Sequence, residues 1–261
     1  MQALKIAATG MQAQQMRVDV ISNNLANMST TGYNARRAEF ADLHYQQLAR
    51  PGTVNAADGT MLPTGVQIGL GVRPSSVTVQ LAQGSLSSTG GDLDLAIEGE
   101  GYLEITLPSG AAAYTRDGAL QRSADGLIVT SDGHAVAPGI TIPDDARSIS
   151  INAEGEVYAY FVGEIDPQVL GQFTLADFSN AKGLEALGGN LFVETGASGP
   201  AIVSTPGLDG LGTVRQGYLE ESSVEAVREI TELIEAQRGY ELNAKVITAA
   251  DQMLGATTQV R

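Results

Sequence analysis

A long heptad-spaced run at the C-terminal end of the chain constrains its fold more than any other feature. No proline interrupts the sequence from Ser222 to Leu254, and Gly255 follows where a helix C-terminus is expected. Ser222 and Glu225 have the spacing of a capping box. A helix of about 33 residues is roughly 50 Å long. Because no small domain could cover that length, the pattern predicts a packing partner of similar length.

The apolar residues of this predicted helix form a stripe that is wider than a two-stranded coiled coil needs. One row recurs every seven residues, and a second row flanks it near the helix start. The width favours packing between copies of the chain. The residues predicted to form this subunit interface are Val227, Ile230, Leu233, Ile234, Tyr240, Ile247 and Leu254.

The first 34 residues carry a matching heptad pattern and supply a partner helix, with a frayed end where Asn23, Asn24 and Asn27 are poor helix formers. Net charge is +3 over residues 1–37 and −4 over residues 219–261, so the two ends are complementary. Two such helices at opposite termini imply a chain that closes on itself. The alternative to assembly between chains is an ordinary intramolecular helical hairpin. The interface residues predicted on the N-terminal helix are Leu4, Met11, Val18, Ile21 and Leu25.

Between the two termini the hydrophobic period changes to two, as in Val77, Val79 and Leu81. Short strands separated by Gly-containing turns are typical of an all-β sandwich or barrel built from hairpins. The sequence therefore predicts an α+β fold, with long N- and C-terminal heptad helices forming a coiled-coil-like inner domain and an inserted all-β domain. The expected turns are Pro108-Ser109-Gly110, Asp117-Gly118, Asp125-Gly126, Asp132-Gly133 and Glu154-Gly155.

These patterns divide the chain into four predicted parts. They are an N-terminal helix (residues 1–34), a connecting segment with an extended loop or hairpin arm (35–65), a β-rich outer domain (66–218) and a C-terminal helix (219–261).

The connecting segment loses all periodicity over residues 46–65. Its prolines restrict the backbone, and an Asp-Gly pair suits a tight hairpin tip. Its three apolar side chains could pack against another subunit. A loop this long is usually functional or disordered, and its low charge favours a functional arm. The residues predicted to form a stiffening arm are Pro51, Val54, Asp58, Gly59, Met61, Leu62 and Pro63.

Composition excludes several classes of function. A net charge of −15 argues against nucleic-acid binding, which needs a basic surface. No run of 18 apolar residues is present, so membrane insertion is not expected. The first residues lack the unbroken apolar region of a secretory signal, so any export would proceed without a cleaved signal peptide. The absence of cysteine excludes disulfides and thiolate metal sites.

No motif in the chain indicates catalysis. There is no nucleophile elbow, zinc-peptidase helix or phosphate-binding loop. Acidic pairs fall at turns, where such residues are usually solvated, and the Thr115–Gly118 stretch is interpreted as a hairpin corner. We therefore predict no catalytic residue, no cofactor and no metal site, and a chain that is not an enzyme.

Two segments near the termini resemble one protein family. The run Asn23-Asn24-Leu25-Ala26-Asn27 is similar to the core of the N-terminal signature of bacterial flagellar rod and hook proteins. IEAQRGYELNAKVITAADQML, at residues 234–254, is similar to their C-terminal signature. Within that family the middle of the chain most resembles distal rod subunits, through LPTGVQIGLGVRP, YTRDGAL, STPGLDG and QGYLEESSV.

The resemblance implies a structural subunit of the distal rod that polymerises helically through its terminal helices into a rigid hollow drive shaft. Its implied partners are further copies of itself, proximal rod proteins, the hook protein, the P-ring and L-ring bushing and the flagellar export apparatus. The implied location is the basal body, where the rod crosses the periplasm to the outer membrane.

Two alternatives remain open from the residues. One is another axial protein, from the hook or the proximal rod. The other, from a different class, is a secreted β-rich enzyme that acts on polysaccharide, which would require clustered carboxylates beside aromatic side chains.

Overall fold

A computed structural model of the chain describes residues 2–49, 64–161, 163 and 166–259. The chain divides into two compact units. The first, here called the helical unit, comprises Met1–Leu25, Arg36–Thr78 and Glu225–Arg261. The second, the β unit, comprises Ala26–Ala35 and Val79–Val224. The architecture is α+β, with one long helix from each end of the chain and a β-rich region between them, as predicted.

Two helices dominate the helical unit: α1 (Gln2–Ala26) and α2 (Ala226–Gln259). α1 stops well before residue 34, because Asn27, Thr30 and a left-handed Gly32 (φ +65°) lead the chain into turns. α2 continues past Gly255, where a stop was expected.

The start of α2 differs from the predicted capping box. The carbonyl of Glu225 accepts the first helical hydrogen bond, from the Glu229 N–H at 3.0 Å. The Ser222 hydroxyl instead accepts a bond from the Val224 N–H within the preceding turn. The helix therefore begins one turn later than the sequence pattern indicated.

Four strands also lie in the helical unit, although the last residue of the fourth strand, Val79, belongs to the β unit. β1 pairs with β4, and β2 pairs antiparallel with β3. β2 and β3 flank the predicted arm on either side, whereas the seven arm residues lie outside the described residues. The strands are β1 (Arg36–Asp42), β2 (Tyr45–Ala49), β3 (Val66–Gly69) and β4 (Val72–Val79).

The β unit consists of short strands and one 3₁₀ turn at Ala181–Gly183. Its strands are β5 (Leu86–Ser88), β6 (Leu95–Glu98), β7 (Tyr102–Thr106), β8 (Ala112–Thr115), β9 (Leu120–Arg122), β10 (Ile128–Thr130), β11 (Ala135–Val136), β12 (Ala146–Ile151), β13 (Glu156–Phe161), β14 (Gln168–Gln172), β15 (Leu175–Asp177), β16 (Glu185–Gly188), β17 (Leu191–Val193), β18 (Ile202–Ser204), β19 (Thr213–Gln216) and β20 (Tyr218–Glu220).

The largest sheet of the β unit has nine strands in the order β16-β17-β8-β7-β11-β10-β9, with β15 beside β7 and β18 beside β15. A second sheet follows the order β12-β13-β14, and two-stranded sheets join β19 to β6 and β20 to β5. Alternating side chains of these strands form a main apolar core and a smaller cluster around Tyr102, Tyr114 and Phe178. The fully buried members of the main core include Leu95, Leu103, Ile105, Ile128, Val157 and Phe173.

Four of the five predicted Gly-containing turns join consecutive strands that pair, as expected for hairpins. The interpretation of Thr115–Gly118 as a hairpin corner was wrong, because this stretch joins β8 to β9, which are not neighbours in the sheet. Gly118 shows why this stretch requires glycine. A Cβ at this position would lie 1.6 Å from the carbonyl oxygen of Leu95, a distance that no side chain can occupy. The backbone of Gly118 therefore packs directly against the backbone of β6.

Packing of the terminal helices and a candidate assembly surface

α1 and α2 lie antiparallel within the helical unit. The Arg17 guanidinium lies 3.4 Å from the Glu232 carboxylate and 3.5 Å from that of Glu235. Nearer the N-terminus, Gly10 faces Asn243. Increasing residue numbers along α1 therefore pair with decreasing residue numbers along α2, as in an antiparallel helix pair. The ion pairs agree with the complementary charges predicted for the two termini.

Small residues let the two helices approach closely. A Cβ added to Gly10 would lie 2.9 Å from Asn243 Oδ1, and one added to Gly239 would lie 3.1 Å from Gln14 Cδ. On α2, Ala236 is completely buried and Ala250 nearly so. The surface of α2 that faces α1 therefore contains small residues at heptad spacing.

A buried polar contact lies where α1 ends and α2 begins. Asn24, only 1% exposed, donates from Nδ2 to the Arg36 carbonyl at 2.8 Å and accepts at Oδ1 from the Arg36 N–H at 2.9 Å. Its Nδ2 also lies 3.2 Å from Glu229 Oε2. One amide thereby joins α1, the first residue of β1 and α2.

Burial raises the pKa of the Glu229 carboxyl above its ordinary value. The Asn24 hydrogen bond and nearby Arg228 oppose the shift, whereas Glu232 adds to it. Taking this carboxylate out of water costs free energy, and a single amide donor offsets only part of that cost.

The predicted interface residues are distributed over three environments in the described chain. Ile21 is buried in the helical unit, while others are half-buried. The half-buried ones are Leu4, Met11, Val18, Leu25, Leu233 and Ile247. The exposed ones are Val227, Ile230, Ile234, Tyr240 and Leu254.

The exposed residues include a compact apolar patch on the first turns of α2. Val227 is 76% exposed, and Ile230 and Ile234 are each 46% exposed. Their spacing of three and four residues places them on one side of the helix. That side lies opposite Ala236, which packs inward. We call these three residues the α2 patch.

A groove of about 410 Å³ runs beside the helix pair and brings together two predicted interface residues, Val18 and Tyr240. Gln15, Gln237 and Glu241 complete its lining. Val18 is half-buried and Tyr240 is 45% exposed, so the groove offers apolar surface with a polar rim. The α2 patch and this groove both present large apolar side chains of the described helices to solvent. Other exposed apolar residues of α2 are Leu242, Val246 and Met253.

Sequence reasoning missed the polar and small residues of the helix pair. Asn24 was interpreted as a poor helix former at a frayed end, although it follows Gly10 and Arg17 at intervals of seven. That interval is the signal that could have placed it on the inner face. Glu229 precedes Ala236 by the same interval of seven residues. It was not predicted to face inward because only apolar residues were considered for the packed rows.

The described residues contain no group of three or more His, Asp or Glu side chains arranged to hold a metal ion. Neither described helix is long and apolar enough to cross a membrane.

Family comparisons match three stretches of the chain. The flagella basal body rod protein family matches residues 4–34, the flagellar hook protein FlgE/F/G D1 domain matches residues 96–159, and the C-terminal region of the flagellar basal body rod FlgEFG proteins matches residues 215–260. A flagellar basal-body rod protein FlgG from Caulobacter vibrioides is 54% identical over 261 residues, which is the full length of both chains. The chain belongs to the FlgG family of flagellar basal-body rod proteins.

Other FlgG proteins agree over nearly the whole chain. The protein from Agrobacterium fabrum is 50% identical over 97% of each chain. The protein from Buchnera aphidicola of Acyrthosiphon pisum is 45% identical over 99% of each. As a member of the FlgG family, the chain is a structural axial subunit of the flagellar rod and not an enzyme.

Proposed function

We propose that the chain is a distal rod subunit that polymerises helically through its terminal helices into a rigid hollow shaft, which transmits motor torque to the hook. The observation that carries this proposal is the outward exposure of the α2 patch on a helix whose other side is already packed against α1. The helix pair needs no large apolar residue at Val227, Ile230 or Ile234 for its own packing.

A second copy of the chain is the proposed occupant of the α2 patch. Burying a Val or Ile side chain contributes about 1.5–3 kcal/mol, and in a polymer the gain recurs at every subunit. Membership of a rod protein family supports self-assembly as the use of this surface. In a helical polymer the contact is head-to-tail, so the patch would meet a different surface of the next subunit. The Val18–Tyr240 groove is a candidate for that surface.

The remaining partners follow from the position of a distal rod. Proximal rod proteins would lie below it, the hook protein above it, and the P-ring and L-ring around it as a bushing. The residues between the terminal segments carry most of the net charge of −15. An acidic, well-solvated outer surface suits low-affinity sliding inside such a ring. The subunit would reach the periplasm through the flagellar export apparatus.

Sedimentation of the purified full chain tests polymerisation. Wild-type protein should form polymers without a fixed length as its concentration rises. Ile234→Asp should remain monomeric, because assembly would bury an unpaired carboxylate. The half-exposed side chain makes this substitution tolerable in the monomer, so its circular dichroism should match that of the wild type.

Ile234→Val is the matched control, since it keeps the position apolar and similar in shape. It should polymerise with at most a modest rise in critical concentration. Shafts of normal length from Ile234→Asp, or a wild-type chain that stays monomeric at all concentrations, would contradict assembly through α2.

A further inference from the structure

A buried ion pair in the β unit lies where the chain leads toward α2. Arg116 Nε donates to Glu220 Oε2 at 2.9 Å, and the two side chains are only 9% and 3% exposed. Arg116 belongs to the stretch that the sequence indicated as a simple hairpin corner, just after β8. Glu220 is the last residue of β20.

Both charged groups have further partners. Arg116 Nη1 donates to the Gly101 carbonyl at 3.2 Å, and Nη2 donates to the Gly99 carbonyl at 2.9 Å. The second carboxylate oxygen of Glu220 accepts from the Gly84 N–H at 3.0 Å. A buried pair with its other hydrogen bonds also made has a fixed geometry. We call this arrangement the Arg116–Glu220 clamp.

The clamp also holds the segment that leaves α1. The Gly32 N–H donates to the backbone carbonyl of Glu220 at 2.8 Å. A Cβ at Gly32 would lie 2.8 Å from the backbone carbonyl of Arg116, and its φ of +65° favours glycine. The backbone at Gly32 therefore contacts the backbone of both Arg116 and Glu220.

A second set of hydrogen bonds ties the two connections to each other. The Ser223 N–H donates to the Tyr33 carbonyl at 3.0 Å, and the Ser223 hydroxyl accepts from the Ala35 N–H at 2.9 Å. Tyr33 and Ala35 are both buried. Residues 26–35 and 220–224, the connecting segments, thus pack as parts of the β unit, which explains why its boundaries fall at Ala26 and Val224.

We infer that Arg116 is a positioning residue of the rod subunit: paired with Glu220, it fixes both connecting segments to the β unit at one buried site. A load that travels along the chain through either connection would then enter the β unit at the same rigid point. The function of the clamp is local, at the connections, and its contribution to the general stability of the β unit is secondary.

Hydrogen exchange of the full chain distinguishes these two roles. In Arg116→Met, amides of both connecting segments should exchange about ten- to a hundredfold faster. Amides of β13, which has two completely buried core residues at Val157 and Ala159, should change by no more than about twofold. Arg116→Lys keeps the charge without the planar fork, so it should restore part of the protection.

Two further variants keep the inference falsifiable. If Arg116→Met does not fold, Glu220→Gln, which keeps the shape of the side chain, should show the same pattern at smaller amplitude. The matched control is Arg122→Met, which removes another arginine of the β unit, one whose partner Asp144 has a side chain that is 98% exposed. It should leave both connecting segments unchanged.

Equal acceleration in β13 and the connecting segments would show that the pair only stabilises the fold, and would overturn the inference. Unchanged exchange in the connecting segments would do the same. The consequence for torque rests on the proposed rod function, but the exchange measurement needs no polymer. Its failure is therefore distinguishable from a failure of polymerisation, which sedimentation detects.

Discussion

Asn24 shows how one residue can join three parts of a fold. Its amide satisfies both backbone groups of Arg36 and reaches the Glu229 carboxylate on the opposite helix. A polar residue on the inner face of a helix pair often fixes the register, because sliding the helices would leave buried groups unpaired. Together, Asn24 and Glu229 thus give the helix pair a defined alignment that apolar rows alone would not specify.

Glu229 should make the stability of the helical unit depend on pH. Because burial raises its folded-state pKa, the ionised carboxylate costs stability above that pKa, and the cost is relieved as pH falls through it. Glu229→Gln removes the ionisation and keeps the shape. We expect a higher melting temperature than wild type at pH 7, with a difference that shrinks in acid.

Glu235→Gln provides the control for this measurement, since the Glu235 side chain is 63% exposed and pairs with Arg17 only at the surface. It should show no stabilisation at pH 7. A Glu229→Gln protein that melts below wild type at pH 7 would mean that the charge itself holds the helices together.

The sequence did not predict which single polar residues make buried contacts of this kind. Asn24 has a low helix propensity, which indicated a frayed end. The buried hydrogen bonds that overcome this propensity depend on Arg36 and Glu229, which reach Asn24 only in the folded chain. Arg116 was similarly expected at a simple hairpin corner, which gave no sign of a buried partner more than a hundred residues away.

At the scale of the element, heptad spacing correctly predicted both terminal helices and their pairing. It assigned the large apolar rows to a subunit interface, which stays a prediction, and it did not identify the small and polar residues that face the partner helix. The close approach is made by Gly10, Gly239 and Ala236. Small residues bring the helix axes together, and this leaves the larger side chains at the edges and on the outer side.

A bulkier residue at Gly10 should separate the helices. Gly10→Val places a branched side chain where even a Cβ would lie 2.9 Å from Asn243 Oδ1. We expect a loss of about 1–3 kcal/mol in the unfolding free energy of the helical unit, measured by denaturant titration followed by helical circular dichroism.

Ala8→Val introduces the same residue two positions earlier, at an exposed site on α1. Its effect should stay within about 0.7 kcal/mol, the range of helix propensity alone. Equal stability of the Gly10→Val and Ala8→Val proteins would show that close helix packing is not required.

At the scale of the whole molecule, the sequence predicted the α+β fold and the order of helix, β insertion and helix. The two compact units do not follow the four predicted parts, since residues 26–35 and 219–224 belong to the β unit. β3 and most of β4 belong to the helical unit, although their alternating pattern resembles that of the β domain. The stiffening role of residues 46–65 stays a prediction.

The central claim is that the outward side of α2 is free in the monomer and covered by another copy in the rod. The chain has no cysteine, so Val227→Cys introduces a single thiol at the most exposed residue of the α2 patch. Its rate of alkylation by a maleimide reports directly on access to that surface. Ser109→Cys, in an exposed turn of the β unit, is the matched control.

The most direct measurement compares the alkylation rate of each thiol in monomer and in sedimented polymer. Val227→Cys should react rapidly in the monomer and at least about tenfold more slowly in the polymer, as expected for a side chain buried at an interface. Ser109→Cys should react at similar rates in both states. A Val227→Cys polymer that reacts as fast as its monomer would contradict the proposal that α2 carries the contact between subunits.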